Sequence, residues 1–436
     1  MLKTLRNAWS IPEMRSKLLY TLFIVLVYRI GAVIHVPFTD VEAIGGALDL
    51  SSGSLFTYLN LLSGDAFSKA TLFALSISPY ITASIVMQLL AIAIPALERL
   101  SKSGEEGQKK ITMITRIVTV ALAFLTAFGY YLYLKNSTNL LTSAGQTVLG
   151  GFVIVFCYAA GASLIMWMAE KINENGIGNG ISIILFANII ATFATQIYSV
   201  ISTAISSGKV DAWQLIVVEL VLFGALVMIT FVVFITNSER RLPVQYAKKV
   251  VGRKMYGGQS TTLPIKLNMT GVMPIIFANS IVAIPGTIEL IVSAKIKEGS
   301  FWDKFFAFFA YDSWFYVILF FILIIAFSYF YILISFNPVE VANNLKKNGG
   351  FIPGLRPGKP TSDYITKVLN RITLIGALFL GIIAVIPLIV NIVTGSSIGS
   401  LAFGGSSILI VVGVILETVR EIEAQMTMRH YKGFLE

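Results

Sequence analysis

Apolar residues come in runs of about twenty along the chain, separated by short polar turns and by two long basic stretches. A helix needs about 20 apolar residues to cross the hydrocarbon core of a bilayer. Ten stretches fit that template, at about 18–36, 74–95, 113–134, 148–170, 181–204, 213–235, 270–292, 314–335, 371–391 and 401–420. The last is the weakest, because Glu417 and Arg420 crowd its end. The pattern predicts an all-α polytopic membrane protein with ten transmembrane helices, which puts both termini on one side.

Charge orients these spans. Under the positive-inside rule the segments rich in Lys and Arg face the cytoplasm. One basic stretch, about 237–268, carries Arg240, Arg241, Lys248, Lys249, Arg253, Lys254 and Lys266. The other, about 336–371, carries Lys346, Lys347, Arg356, Lys359, Lys367 and Arg371. The opposite side holds only Lys69, Lys135, Lys209, Lys295, Lys297 and Lys304. Both termini are therefore expected in the cytoplasm. A short connection after the fifth span divides the chain into halves of five spans, 1–205 and 206–436. An odd number per half makes the second half inverted, and inverted repeats build pathways at their interface.

Composition agrees. Of 436 residues 56% are hydrophobic and 13% charged, more apolar surface than a soluble chain can bury. One cysteine, Cys157, excludes a disulfide within the chain. The two histidines, His35 and His430, lie far apart, so no metal site and no cofactor are expected. Arg29 is the one deep cation, which either snorkels outward or lines an aqueous vestibule. Glu170 and Lys171 end a span at the cytoplasmic side, and Glu219 and Glu289 lie near outer ends. No carboxylate sits mid-span beside a partner, which weighs against an ion-coupled secondary transporter of small solutes, the alternative reading.

Three segments depart from a simple bundle. The outer stretch 37–70 is too long for a turn and too polar to span. Its part from about 50 to 66 reads either as a re-entrant plug in an external funnel or as an interfacial helix. The second span opens Leu75-Ser76-Ile77-Ser78-Pro79-Tyr80-Ile81-Thr82-Ala83-Ser84, whose small polar residues suit a packed or path-lining helix. Within it Ile77, Ile81 and Ile85 fall on one helical face. The turn Asn173-Glu174-Asn175-Gly176-Ile177-Gly178-Asn179-Gly180 has no lysine and no preceding strand, so it reads as a tight hairpin and not as a phosphate loop.

Several of these blocks resemble one family. They are Ser78-Pro79-Tyr80-Ile81-Thr82-Ala83-Ser84-Ile85 with Met87-Gln88-Leu89-Leu90, Gly176 to Ile183, Arg240-Arg241 with Val244-Gln245-Tyr246-Ala247-Lys248, and Gly258-Gln259-Ser260-Thr261 with Leu263-Pro264. Asn337-Pro338, Asn344-Leu345-Lys346-Lys347 and Ile352-Pro353-Gly354-Leu355-Arg356-Pro357-Gly358 complete the set. Together they resemble the SecY/Sec61-alpha family of protein-conducting channels, in its bacterial form.

That resemblance implies a non-enzymatic pore in a bacterial plasma membrane, assembled with the small subunits SecE and SecG. The SecA ATPase or a ribosome with its nascent chain would drive it. Unfolded secretory polypeptides would pass through it, and signal sequences and transmembrane segments would leave sideways into membrane lipids. It further implies an aliphatic pore ring at Ile77, Ile81, Ile181, Leu185, Ile276 and Ile410. The plug would include Leu50, Ser54, Leu55, Phe56, Leu59, Leu62 and Gly64. A lateral gate between the second and seventh spans would use Thr82, Gln88 and Asn279. Partner docking would fall to Arg240, Arg241, Arg253, Lys254, Lys346, Lys347, Arg356 and Lys359. Ser76 stands where a glycine is common before the proline, with no consequence legible in the sequence.

Overall fold

The computed structural model describes residues 2–40, 60, 62–136, 140–206, 212–246, 249–251, 254–256, 260–292, 301–310, 313–394 and 405–432. Each of the ten apolar stretches coincides with a helix. The first half holds α1 (Leu2–Ser10), α2 (Pro12–Gly31), α3 (Ser78–Ala93), α4 (Pro95–Lys102), α5 (Glu105–Asn136), α6 (Val148–Asn175) and α7 (Gly180–Ser206). The second holds α8 (Ala212–Asn237), α9 (Met273–Val292), α10 (Phe301–Phe308), α11 (Trp314–Ser335), α12 (Pro338–Lys347), α13 (Lys359–Thr394) and α14 (Gly405–Lys432).

Local chemistry sets several boundaries. Pro12, Pro79, Pro95 and Pro338 sit in the first turn of their helices, where a missing N–H costs nothing. Thr147 caps α6 by accepting from the Gly150 amide, and Ser313 caps α11 by accepting from Phe315. Pro95 also breaks the continuation of α3, so α4 leaves at 102°. The second span is thus shorter than its apolar run, because 74–77 is irregular and α3 begins only at Ser78.

Among the described residues, α5, α6, the stretch Trp314–Lys347 and α13 are long and apolar enough to cross a membrane. The bent pair α3–α4 makes a fifth, and Gly180–Thr195, Phe223–Asn237 and Met273–Glu289 are shorter apolar helices. Large aliphatic and aromatic side chains stay exposed on outward faces, as with Phe152, Phe156 and Trp167 of α6. Such faces suit lipid. The chain is a multi-pass membrane protein.

Two apolar clusters organise the bundle. The larger draws on α2, α3, α6, α7, α8, α9, α11, α13 and α14. The smaller joins α5, α6 and the irregular segment 66–74. Between α5 and α6, Arg116 forks onto the buried Glu170 with contacts of 2.9 and 2.8 Å. Glu170 is therefore a structural tie between two spans.

The basic stretches are more ordered than their polarity suggests. The first forms β1 (Glu239–Tyr246), β2 (Lys249–Val251), β3 (Lys254–Tyr256) and β4 (Ser260–Lys266). β1 pairs antiparallel with β4 from Glu239↔Lys266 to Gln245↔Ser260, and β2 pairs with β3. The second contributes β5 (Gly350–Phe351), which adds to β1 at Gln245↔Phe351 and Tyr246↔Gly350. Beneath this sheet Leu242, Val244, Ile265, Ile352, Ile365, Leu369 and Ile372 are buried together. The two stretches are one folded unit. The sequence reading expected loops here; the alternation of Leu242 and Val244 is only two residues long and is interrupted by prolines.

Candidate functional site

The six aliphatic residues expected in a ring lie on four helices, and four of them line one cavity. Ile77 caps α3, Ile81 lies one turn on, Ile181 and Leu185 are on α7, Ile276 is on α9 and Ile410 is on α14. All belong to the larger apolar cluster, five of them buried and Ile181 half-buried. Ile81, Leu185, Ile276 and Ile410 share the wall of one cavity of about 350 Å³. Ile85 is also buried, so the every-fourth-residue face is real. Of the adjacent pair Ile275 and Ile276, the latter lines the cavity.

That cavity lies between α3, α5 and α9 and is mostly apolar. Thr82 and Asn279, two of the expected gate residues, are on its wall with Leu62. Asn279 is buried, and among the described residues its Nδ2 has no hydrogen-bond partner. Gln88, the third expected gate residue, donates through Nε2 to Ser84 Oγ in its own helix at 3.3 Å. It sits ten residues beyond Ser78, nearer the far end of α3, and is spent on a local contact. Among the described residues no hydrogen bond joins Thr82, Gln88 and Asn279.

Of the expected plug, Leu50, Ser54, Leu55, Phe56 and Leu59 lie outside the described residues. Leu62 and Gly64 are described, and they begin an irregular stretch that reaches α3. Its backbone is satisfied by side chains from the surrounding helices, as non-helical chain at membrane depth requires. Tyr130 of α5 donates to the Phe67 carbonyl at 2.7 Å, and Tyr158 of α6 to the Ala70 carbonyl at 3.3 Å. Asn188 of α7 donates through Nδ2 to the Leu62 carbonyl at 2.7 Å, and Ser76 donates to the same oxygen at 3.0 Å. Asp65 accepts from Asn60 at 3.0 Å and from Thr195 of α7 at 2.8 Å.

Ser76 thus has a consequence that its sequence context hides. Its φ is 53°, in the left-handed region that favours glycine, and its hydroxyl supplies a bond that glycine lacks. Arg29 neither snorkels nor faces a vestibule alone: its Nη2 donates to the carbonyls of Ala187 and Asn188 on α7. The turn at Gly64 presses against this corner. Gly64 has φ 66°, and a Cβ there would lie 2.9 Å from Arg29 Nη1 and 3.1 Å from the Asn188 Cα. Gly64→Ala is expected to cost about 2 kcal/mol or more, from left-handed strain plus displaced packing. A lower melting temperature of the purified protein in detergent would check it; an unchanged one would refute the tight corner.

Asn188, Tyr130 and Tyr158 escaped the sequence reading. Each is a polar group inside an apolar run, and that was the only available signal. Their irregular-chain partners are more than 60 residues away.

The Gly-rich turn is a hairpin, as expected. Asn173 Oδ1 accepts from the Gly180 amide at 2.7 Å and Asn179 Oδ1 from Ile181 at 3.0 Å, which caps α7. Gly178 has φ 85°. Lys171 donates to Glu174, which holds that exposed carboxyl below its usual range.

On the basic unit, Arg240 and Arg241 are exposed on β1, Arg241 contacting Glu239 at 2.7 Å. Lys254 lies in β3, whose pairing alone is described, and Arg253 lies outside the described residues. Lys346 and Lys347 end α12, where they also complement its dipole. Arg356 and Lys359 are exposed at the turn leading into α13. There Gly354 and Gly358 take φ of 83° and 111°, and Thr361 donates to the Arg356 carbonyl at 2.8 Å. Burial pushes the Lys266 ammonium down, with Arg420 adding to the shift. Among the described residues no cluster of His, Cys, Asp or Glu could hold a metal ion.

A helical membrane bundle with aliphatic side chains around an apolar cavity, an irregular stretch beside it and a basic sheet has the architecture of a protein-conducting channel. The backbone matches a solved structure of a protein-conducting channel with a TM-score of 0.68, at 18% identity, over 94% of this chain and 92% of that one. It matches Sec61 in the canine ribosome-channel complex with a TM-score of 0.64, at 17% identity, over 94% and 92%. In sequence, the chain is 44% identical to the protein translocase subunit SecY of Streptomyces coelicolor and 43% identical to that of Mycobacterium bovis, each over all of both chains. The SecY family profile covers residues 71–419, and the chain belongs to the SecY family.

Proposed function

We propose that this chain is the pore subunit of a protein translocase, conducting unfolded polypeptides across the membrane and releasing apolar segments sideways into lipid. The observation that carries the reading is the shared cavity wall of Ile81, Leu185, Ile276 and Ile410, with Ile77 and Ile181 in the same apolar cluster; the reading places it between the halves 1–205 and 206–436. An apolar constriction excludes ions by dewetting and offers many side chains shape without specific hydrogen bonds. The cavity between α3 and α9 supports a lateral gate there, with Thr82 and Asn279 as its polar contacts.

In this reading the chain is passive and catalyses nothing. The driving force comes from an ATPase of the SecA type or from a ribosome, both docking on the basic sheet. SecE-like and SecG-like subunits complete the complex in a bacterial plasma membrane, and both termini face the cytoplasm. The canine relative was solved with a ribosome, which supports that partner. The ion-coupled transporter finds no support: Arg29 and Glu170 are tied to carbonyls and to Arg116, so neither is poised to bind a coupling ion.

A photo-crosslinker placed at Ile81, with a secretory chain stalled in transit, tests the assignment. Capture of the stalled chain is expected. An actively translocating complex in which position 81 captures nothing would refute the pore.

A further inference from the structure

The short helix α10 reads Phe-Trp-Asp-Lys-Phe-Phe-Ala-Phe. It joins α9 to α11 and packs against both. β4 precedes α9, and β5, which pairs with β1 of the same sheet, follows α11. α10 therefore sits at the opposite end of these two helices from the basic sheet. Phe301, Phe305 and Phe308 are spaced i, i+4 and i+7, so they share one face, with Trp302 on its flank. All four are exposed, whereas Phe306 is buried. The rings hold one another in place. Phe301 stacks on Phe305 at 6.5 Å, and Trp302 meets Phe305 edge-on at 6.0 Å. Among the described residues nothing covers this face.

We propose that α10 is an interfacial anchor, its aromatic face set into the boundary between the headgroups and acyl chains of the bilayer. The proposal goes beyond the channel reading and needs only the membrane placement of the chain. Three observations select lipid as the occupant. First, the face is continuous with the flank of α11 that suits lipid. Phe308 and Phe309 both meet Phe315 edge-on, at 6.0 and 5.4 Å, and Ile318 and Ile322 continue the exposed stripe along α11. Second, length fixes the depth. A helix of eight residues is about 12 Å long and cannot cross the hydrocarbon. Its end N–H and C=O groups need water or headgroups, so it belongs at the boundary and not in the core. Third, the chemistry is mixed in the way a boundary requires. Trp and Phe rings concentrate at that level, and the exposed Lys304 borders the face, where its stem can lie along the apolar layer while the ammonium reaches lipid phosphates.

Depth-dependent quenching of Trp302 tests the anchor. The full chain carries Trp9→Phe, Trp167→Phe, Trp213→Phe and Trp314→Phe, which leaves Trp302 as its one tryptophan. It is reconstituted in phosphatidylcholine vesicles with a minor share of phosphatidylglycerol. The lipids are brominated either at the headgroup end of the acyl chains or at the methyl end. Bromines at the headgroup end should quench Trp302 at least about twofold more strongly than those at the methyl end. Iodide in the water should quench it only weakly. Equal or stronger quenching from the methyl end would put α10 in the core and overturn the anchor. Strong iodide quenching without bromine quenching would put the face in water, and protection from both quenchers would mean that protein covers it. Either result overturns the proposal.

A second variant adds Phe301→Ser and Phe308→Ser to the same chain. Bromine quenching of Trp302 should fall about twofold and iodide quenching rise, because the face loses its apolar hold. Unchanged quenching in this variant would overturn the role of the face. If it fails to fold, the depth of Trp302 beside the intact face decides alone. None of these readings depends on transport, so a chain that conducts no polypeptide would refute the channel and leave the anchor standing.

Discussion

Ile276→Asn is expected to make the resting channel leak ions, with conductance rising at least about tenfold in the absence of any translocating chain. Ile276 is 3% exposed and faces the same cavity as Ile81, Leu185 and Ile410. A narrow apolar passage stays dry because water there loses hydrogen bonds it cannot replace. An asparagine brings a donor pair and an acceptor to the wall, so a water file gains partners and ions can follow. Burying an unpaired amide also costs about 1–3 kcal/mol, which further favours the wet, open arrangement. Ile276→Val is the control, since it shortens the side chain and keeps the wall apolar. Planar-bilayer recordings decide it. Equal resting conductance for Ile276→Asn and the unaltered chain would refute an aliphatic seal at this position.

Arg356→Glu should slow motor-driven transport about tenfold or more at limiting motor, while insertion and folding stay normal. The turn that presents Arg356 is organised by its own backbone: two glycines with positive φ and the Thr361 bond to the Arg356 carbonyl. The side chain is exposed, and among the described residues no salt bridge engages it. Reversal therefore costs the fold little. It does place a negative charge on a stretch that also carries Lys346, Lys347 and Lys359, where an acidic or carbonyl-rich partner would be repelled. Transport is measured with the motor saturating and limiting, beside a melting curve of the variant. Equal rates under both conditions would remove Arg356 from the docking surface.

The spans were legible because bilayer thickness imposes one length and one composition on every crossing helix. The apolar stretches coincide with α2, α3, α5 to α9, α11, α13 and α14 for that reason. The candidate ring residues could be named only through family motifs. Nothing in the run around Ile276 separates it from Ile275, and the two differ only in what each side chain meets. The sheet under the basic stretches was missed, since β5 is two residues long and gains its meaning from β1, about a hundred residues earlier. For Gln88 the helix was legible, but the bond it makes to Ser84 in the same helix was not.

What the sequence by itself determined is the class of molecule. Apolar runs, the one-sided distribution of lysine and arginine, and the lack of paired mid-span carboxylates are one-dimensional quantities, and they define a multi-pass protein with a basic face. Only the tertiary structure decided the use of the few polar groups inside. Arg29, Asn188, Ser76, Tyr130 and Tyr158 each look costly in an apolar run. Each donates to a backbone carbonyl between Leu62 and Ala70 or on α7. A buried hydrogen bond needs both ends within about 3 Å. Chain order says nothing about which carbonyl, tens of residues away, will be brought that close.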